Sequence, residues 1–132
     1  MQPYELWHFL LIGYLFTIAI ETPILLLGLS RHHPIKRRLL AGIWLTACTY
    51  PIVVLVLPLV FESQSRTLYL SVAETFAPAA ECLLFWAAFG NSPAATRQTW
   101  RRDMIAIVVA NLASFGAGEL WYGLLEHWSA GS

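Results

Sequence analysis

The chain has 132 residues, 58% of them hydrophobic and 12% charged, with mean hydropathy +0.60 and no net charge. Soluble domains carry about 25% charged residues, so this composition is suited to a lipid solvent. Four apolar windows, Leu6–Leu29, Leu39–Phe61, Thr67–Gly90 and Met104–Glu126, take up most of the chain. That leaves no room for a soluble catalytic domain, a dinucleotide-binding unit, a zinc finger or a nucleic-acid module.

Each window exceeds the roughly 20 residues that a helix needs to cross a bilayer. The first follows Met1-Gln2-Pro3-Tyr4-Glu5, which has neither a basic leader nor a small-residue cleavage site after it, so it is expected to remain as a helix. Between the first and second windows, Ser30–Arg38 holds His32, His33, Pro34 and four basic residues. Beside that charge the histidines read as lipid-headgroup contacts, because a His pair without carboxylates is weak evidence for a metal. Glu62–Arg66 can barely turn the chain, and Asn91–Asp103 is broken by Ser92-Pro93. Loops this short favour antiparallel neighbours. The expected fold is all-α, a polytopic up-down four-helix transmembrane bundle forming a single domain.

Of the eight basic residues, Arg31, Lys36, Arg37, Arg38, Arg97, Arg101 and Arg102 fall on one side of the expected bundle, and only Arg66 on the other. The positive-inside rule then makes both termini non-cytoplasmic. Trp7, Trp44, Trp86, Trp100, Trp121 and Trp128 mostly lie towards segment ends, as interfacial anchors do. Cys48 and Cys82 lack metal-ligand spacing and read as small buried apolar residues.

Four acidic residues, Glu21, Glu74, Glu81 and Glu119, lie inside apolar windows with no Lys or Arg in any window to pair with. An ionised side chain at the bilayer centre costs at least about 2.5–3.5 kcal/mol on insertion scales. These carboxyls are therefore protonated and hydrogen-bonded, face a wet cavity, or bind a cation. At about 1.5 Å per residue, Glu21, Thr46, Thr49, Glu81 and Asn111 form one polar layer, with Ser114 and Tyr50 near mid-depth. Glu74 and Glu119 form a second layer, roughly 6–7 Å towards the other face. Such layers suit a proton or cation path, and they equally suit a polar seam that holds a bundle together. Pro23, Pro51, Pro58 and Pro78 free the carbonyls of Ala19, Ala47, Val54 and Glu74 close to these layers, either as packing kinks or as ligand oxygens.

In the fourth window Ala110, Ser114, Ala117 and Gly118 make a small-residue stripe that allows close helix packing within the bundle or against another chain. The two hairpins also show a faint repeat. Glu21 corresponds to Glu81, Thr46 to Asn111 and Thr49 to Ser114, as a parallel duplication about the membrane normal would produce.

Glu21-Thr22-Pro23, Thr46 through Pro51, Glu74 with Glu81, and Asn111 through Gly118 together resemble a group of small bacterial four-helix membrane proteins. Their pattern is E-x-P, N-x-x-T-H-P, glutamates in the third helix and N-x-x-S-x-x-x-G. Here Thr46 stands for the Asn and Tyr50 for the His. The resemblance implies a multi-pass protein of the bacterial inner (cytoplasmic) membrane and names no activity.

Three functions fit this sequence to decreasing degrees. The first is ion, proton or metal-cation transport or sensing, with Glu21, Thr49, Glu74, Glu81, Asn111, Ser114 and Glu119 as candidate binding residues. The second is a non-catalytic accessory subunit of a larger membrane complex. An enzyme ranks last, since HExxH, GxSxG and a mid-depth nucleophile–His pair are all missing from the sequence. The expected partners are the lipid bilayer, with a homo-oligomer or larger complex, and not nucleic acid. No cofactor or metal identity can be read from the residues.

Overall fold

A computed structural model describes residues 3–131. It contains four helices, each long and apolar enough to cross a membrane: α1 (Pro3–Gly28), α2 (Ile35–Val60), α3 (Arg66–Phe89) and α4 (Arg97–Gly131). Side-chain bonds fix their directions. Along α1 and α2, Gly13 lies against Tyr50, Glu21 meets Thr46 and Leu26 meets Arg38, which is an antiparallel register. The same descending order joins α2 to α3, α3 to α4 and α1 to α4. The main helix contacts are between these four pairs, so the helices form a square bundle in up-down order.

Local sequence explains the boundaries. Pro34, extended at φ −62° and ψ 155°, starts α2, and its carbonyl accepts from the N–H groups of Arg37 and Arg38. Ser65 caps α3 by accepting from Leu68 N–H. Thr96 and Thr99 cap α4 reciprocally: Thr96 N–H donates to Thr99 Oγ1 at 2.7 Å and Thr99 N–H to Thr96 Oγ1 at 3.2 Å. This is a capping box with Thr in place of the usual Glu. It moves the start of α4 upstream of the apolar window, because capping decides where a helix begins whereas hydropathy marks only its lipid-facing stretch. α2 likewise begins at Ile35, ahead of the expected Leu39.

Pro51 and Pro58 do not break α2. Between them Ile52–Val56 widens into a π-helical stretch, in which Leu57 N–H reaches Ile52 C=O. Tyr69 of α3 donates to the Val53 carbonyl at 2.9 Å, giving the irregular backbone a protein partner inside the apolar zone.

The dry core lies at the end of the bundle where the 29–34 and 90–96 connections run. Leu25, Leu29, Leu45, Phe85, Ile107, Ala106 and Ala110 fill it from all four helices. Close approach occurs here at Gly28 and Gly42. A Cβ on Gly28 would stand 2.9 Å from Ala106 Cβ, and one on Gly42 would stand 3.0 Å from Thr22 Cα. The small-residue stripe splits accordingly. Ala110 is buried, Ser114 and Ala117 are half-buried, and a Cβ on Gly118 would meet nothing within 4 Å. Within the chain, then, Gly118 is not where α4 closes onto a neighbour.

The arginines at this end have structural tasks. Arg38 donates to Leu26 C=O at 2.6 Å, and Arg102 to Gly28 C=O at 2.9 Å, covering the open carbonyls at the C-terminus of α1. Arg31, Lys36, Arg97 and Arg101 are exposed.

Candidate functional site

Two buried carboxyls organise the middle of the bundle. Glu21 and Glu81 are 2% and 1% exposed. Glu21 bonds Thr46 Oγ1 through Oε2 at 2.9 Å and Ser114 Oγ through Oε1 at 2.5 Å. Glu81 bonds Thr49 Oγ1 through Oε1 at 2.6 Å and accepts from Asn111 Nδ2 through Oε2 at 2.8 Å. Each carboxyl thus meets a residue from its own hairpin (Thr46 or Asn111) and one from the other hairpin (Ser114 or Thr49). Under the repeat correspondence these two sets of contacts exchange. The polar centre has approximate two-fold symmetry, with the same role played by corresponding positions.

The hydroxyls allow each carboxyl two protonation states. Thr46 Oγ1 also lies 2.8 Å from Gly42 C=O, Thr49 Oγ1 3.2 Å from Leu45 C=O, and Ser114 Oγ 3.1 Å from Asn111 C=O. A hydroxyl has one hydrogen and two lone pairs. It donates to an ionised carboxylate. Alternatively, it turns that hydrogen to its backbone carbonyl and accepts from a protonated carboxyl. Either way every partner remains bonded, so a proton can come and go without leaving an orphaned polar group.

Both carboxyls border a cavity of about 570 Å³ on the side of the bundle away from the dry core. Phe16, Tyr50, Val54, Leu70, Phe115 and Tyr122 give it mostly apolar walls, and Thr46, Thr49, Asn111 and Ser114 reach it beside the two glutamates. Glu74 also lines it and is exposed. At the far end Glu119 accepts from Arg66 at 3.1 and 3.2 Å. No Lys or Arg lies inside the apolar windows, yet Glu119 finds a cationic partner just outside one: α3 starts at Arg66, one residue before its apolar window, and that residue stands level with Glu119. Tyr50 is half-buried on the cavity wall, its ring centroid 6.1 Å from that of Tyr14. Cys48 and Cys82 are free and half-buried.

A second polar cluster lies beyond the dry core and was not anticipated. His33, expected in contact with headgroups, is 1% exposed, and its Nε2 lies 2.8 Å from Asp103 Oδ2. Asp103 Oδ1 accepts from Ser30 N–H at 2.7 Å. Arg37 Nη1 approaches His33 Nδ1 at 3.4 Å, which makes Nδ1 the acceptor and places the hydrogen on Nε2, donating to Asp103. His32 stacks on His33 with ring centroids 3.9 Å apart. Burial first, then the neighbouring His33, hold the His32 imidazole below its ordinary pKa, with Asp103 opposing them and Arg37 adding to them. One signal in the sequence could have revealed Asp103. It shares the spacing 103, 107, 110/111, 114 with the inward face of α4, so a carboxylate there had to find a partner at the loop end.

Compared with known proteins, the chain matches no family model, no curated protein and no solved structure.

Proposed function

We propose that this is an integral membrane protein of transport or sensing, in which Glu21 and Glu81 bind and release a proton or small cation reached through the cavity. The observation that carries this reading is the pair of buried carboxyls beside a cavity, each held by two neutral partners that suit both the charged and the neutral form. A seam serving only to pack helices needs no such cavity. The dry core of Leu25, Leu29, Leu45, Phe85 and Ile107 closes the other end, so this conformation is open to one side only. Transport requires a second conformation that opens the opposite end. By the positive-inside rule the cavity faces outward and the basic end faces the cytoplasm, in a bacterial inner membrane.

The test is proton flux in proteoliposomes containing a trapped pH-sensitive dye, under an imposed pH gradient. Wild-type protein is expected to dissipate the gradient. Glu21→Gln and Glu81→Gln, which keep the shape and remove the charge cycle, are expected to fold and to reduce flux at least about tenfold, a barrier change of roughly 1.4 kcal/mol. Undiminished flux in the double variant would contradict the reading.

One observation favours an accessory subunit as a second reading. Gly116 and Gly123 of α4, seven residues apart on one face, have open space at the Cβ position, and Leu120 and Leu124 beside them are exposed. A helix from another chain fits such a surface. Purification in mild detergent separates the two readings, since a self-sufficient transporter is recovered alone or as a homo-oligomer, and an accessory subunit with its partners.

A further inference from the structure

We propose that His32, His33 and Asp103 form a binding site for one first-row divalent metal ion of the zinc type, separate from the carboxyl cavity. One ligand atom from each residue falls within a set lying no more than 4.8 Å apart. Two imidazoles and one carboxylate form a donor set suited to such an ion, with a water completing four-coordination. The residues come from two elements: the turn after α1 supplies the histidines and the first turns of α4 supply the carboxylate. An ion here would join that turn to α4.

The second observation is His32 itself. Both its nitrogens are buried and neither has a hydrogen-bond partner. A neutral imidazole carries one donor and one acceptor, and leaving either unsatisfied in a buried place is costly. Beside His32 and Asp103 lies a void of about 10 Å³, bordered by Thr99, Phe85 and Met104. That is the scale of a single water-sized sphere. An orphaned ligand, a carboxylate and a one-atom void thus occur together.

The surroundings do not forbid a cation. Arg38 and Arg102 are turned onto the carbonyls that end α1, and Arg37 stacks over the Phe89 ring with its Cζ 4.6 Å from the centroid. For the ion to take His33 Nε2, the hydrogen now on that atom moves to Nδ1. His33 stays neutral and no proton is lost overall. The cost is the 3.4 Å Arg37 contact, the longest in the cluster, and the direct bond between His33 and Asp103 is replaced by one through the metal.

The test uses the untagged full chain in detergent with Co²⁺ alone, followed by Zn²⁺ competition. The expected result is one Co²⁺ per chain, with the visible absorption of a tetrahedral site that Zn²⁺ abolishes. His32 makes no hydrogen bond, so His32→Ala should melt like the parent without metal and bind at least about tenfold more weakly. Asp103→Asn should weaken binding in the same way, while His8→Ala and His127→Ala should leave it unchanged. Glu21→Gln and Glu81→Gln should also leave it unchanged, so this site and the carboxyl cavity can fail independently. The proposal is overturned by an absence of saturable Co²⁺ binding, by parental affinity in folded His32→Ala, or by binding that depends on Glu81. In the first two cases the void holds only a water.

Discussion

Asn111 has two tasks: its amide donates to Glu81 at 2.8 Å and to Ile107 C=O at 3.0 Å. Asn111→Leu removes both and leaves a buried carboxyl with one partner fewer, at a cost of about 1–3 kcal/mol. The melting temperature in detergent should fall accordingly, and Glu81→Gln added to that background should recover part of the loss. At the other end, Asp103→Ala strips partners from His33 and from Ser30 N–H. Leaving these two buried donors unsatisfied costs about 1–3 kcal/mol each, so this variant should melt lowest among the single substitutions considered. Glu21 and Glu81, and the polar layer that they share with Thr46, Thr49 and Asn111, were legible from sequence because a carboxyl in an apolar window is conspicuous; that each carboxyl also bonds a residue of the other hairpin was not. Asp103 was not, since it sits among arginines at a helix end, where a charge looks ordinary. His33 was misread for the same reason: its neighbours in sequence are cationic, and its partner lies 70 residues away.

At the scale of helices, close packing is concentrated towards one end. Gly42 lies against Thr22, whose Cα would stand 3.0 Å from an added Cβ. Gly42→Ala should therefore force α1 and α2 apart and cost about 1–3 kcal/mol. Gly118 borders the cavity and has open space beside it. Gly118→Leu should leave the melting temperature of the single chain within about 0.5 kcal/mol of the parent and obstruct the cavity, lowering flux. If it instead dissociates an oligomer, the open face of α4 is an interface. Sequence identified the four helices and their order, because lipid imposes length and hydropathy directly. It missed the starts of α2 and α4, which depend on Pro34 and the Thr96–Thr99 cap. It also placed helix contact at Gly118, since a stripe of small residues does not reveal which of its positions faces a neighbour.

For the molecule as a whole, the basic end and the cavity end are opposite, so the direction of insertion decides which compartment reaches Glu21 and Glu81. The positive-inside bias predicts that a cysteine placed at Arg97 is labelled only from the cytoplasm. One placed at Gln64, in the opposite connection, should react with an impermeant reagent from outside. Both sites are exposed, so accessibility reports orientation directly. The reverse pattern would turn the cavity inward. The approximate two-fold symmetry of the polar centre, in which each hairpin contributes one carboxyl and one partner to each half, was visible in sequence only as a short correspondence. The structure gives it meaning, since corresponding residues make corresponding bonds.

The central claim is that Glu21 and Glu81 exchange protons in the folded bundle. The most direct measurement is infrared difference spectroscopy of the reconstituted protein as external pH is cycled, following the carbonyl stretch of protonated carboxyl groups. The expected result is a reversible band that loses part of its intensity in Glu21→Gln, part in Glu81→Gln, and all attributable intensity in the double variant. A pH-dependent band that persists unchanged in the double variant, or no pH-dependent band in the parent, would contradict the account and leave the two glutamates as a packing seam.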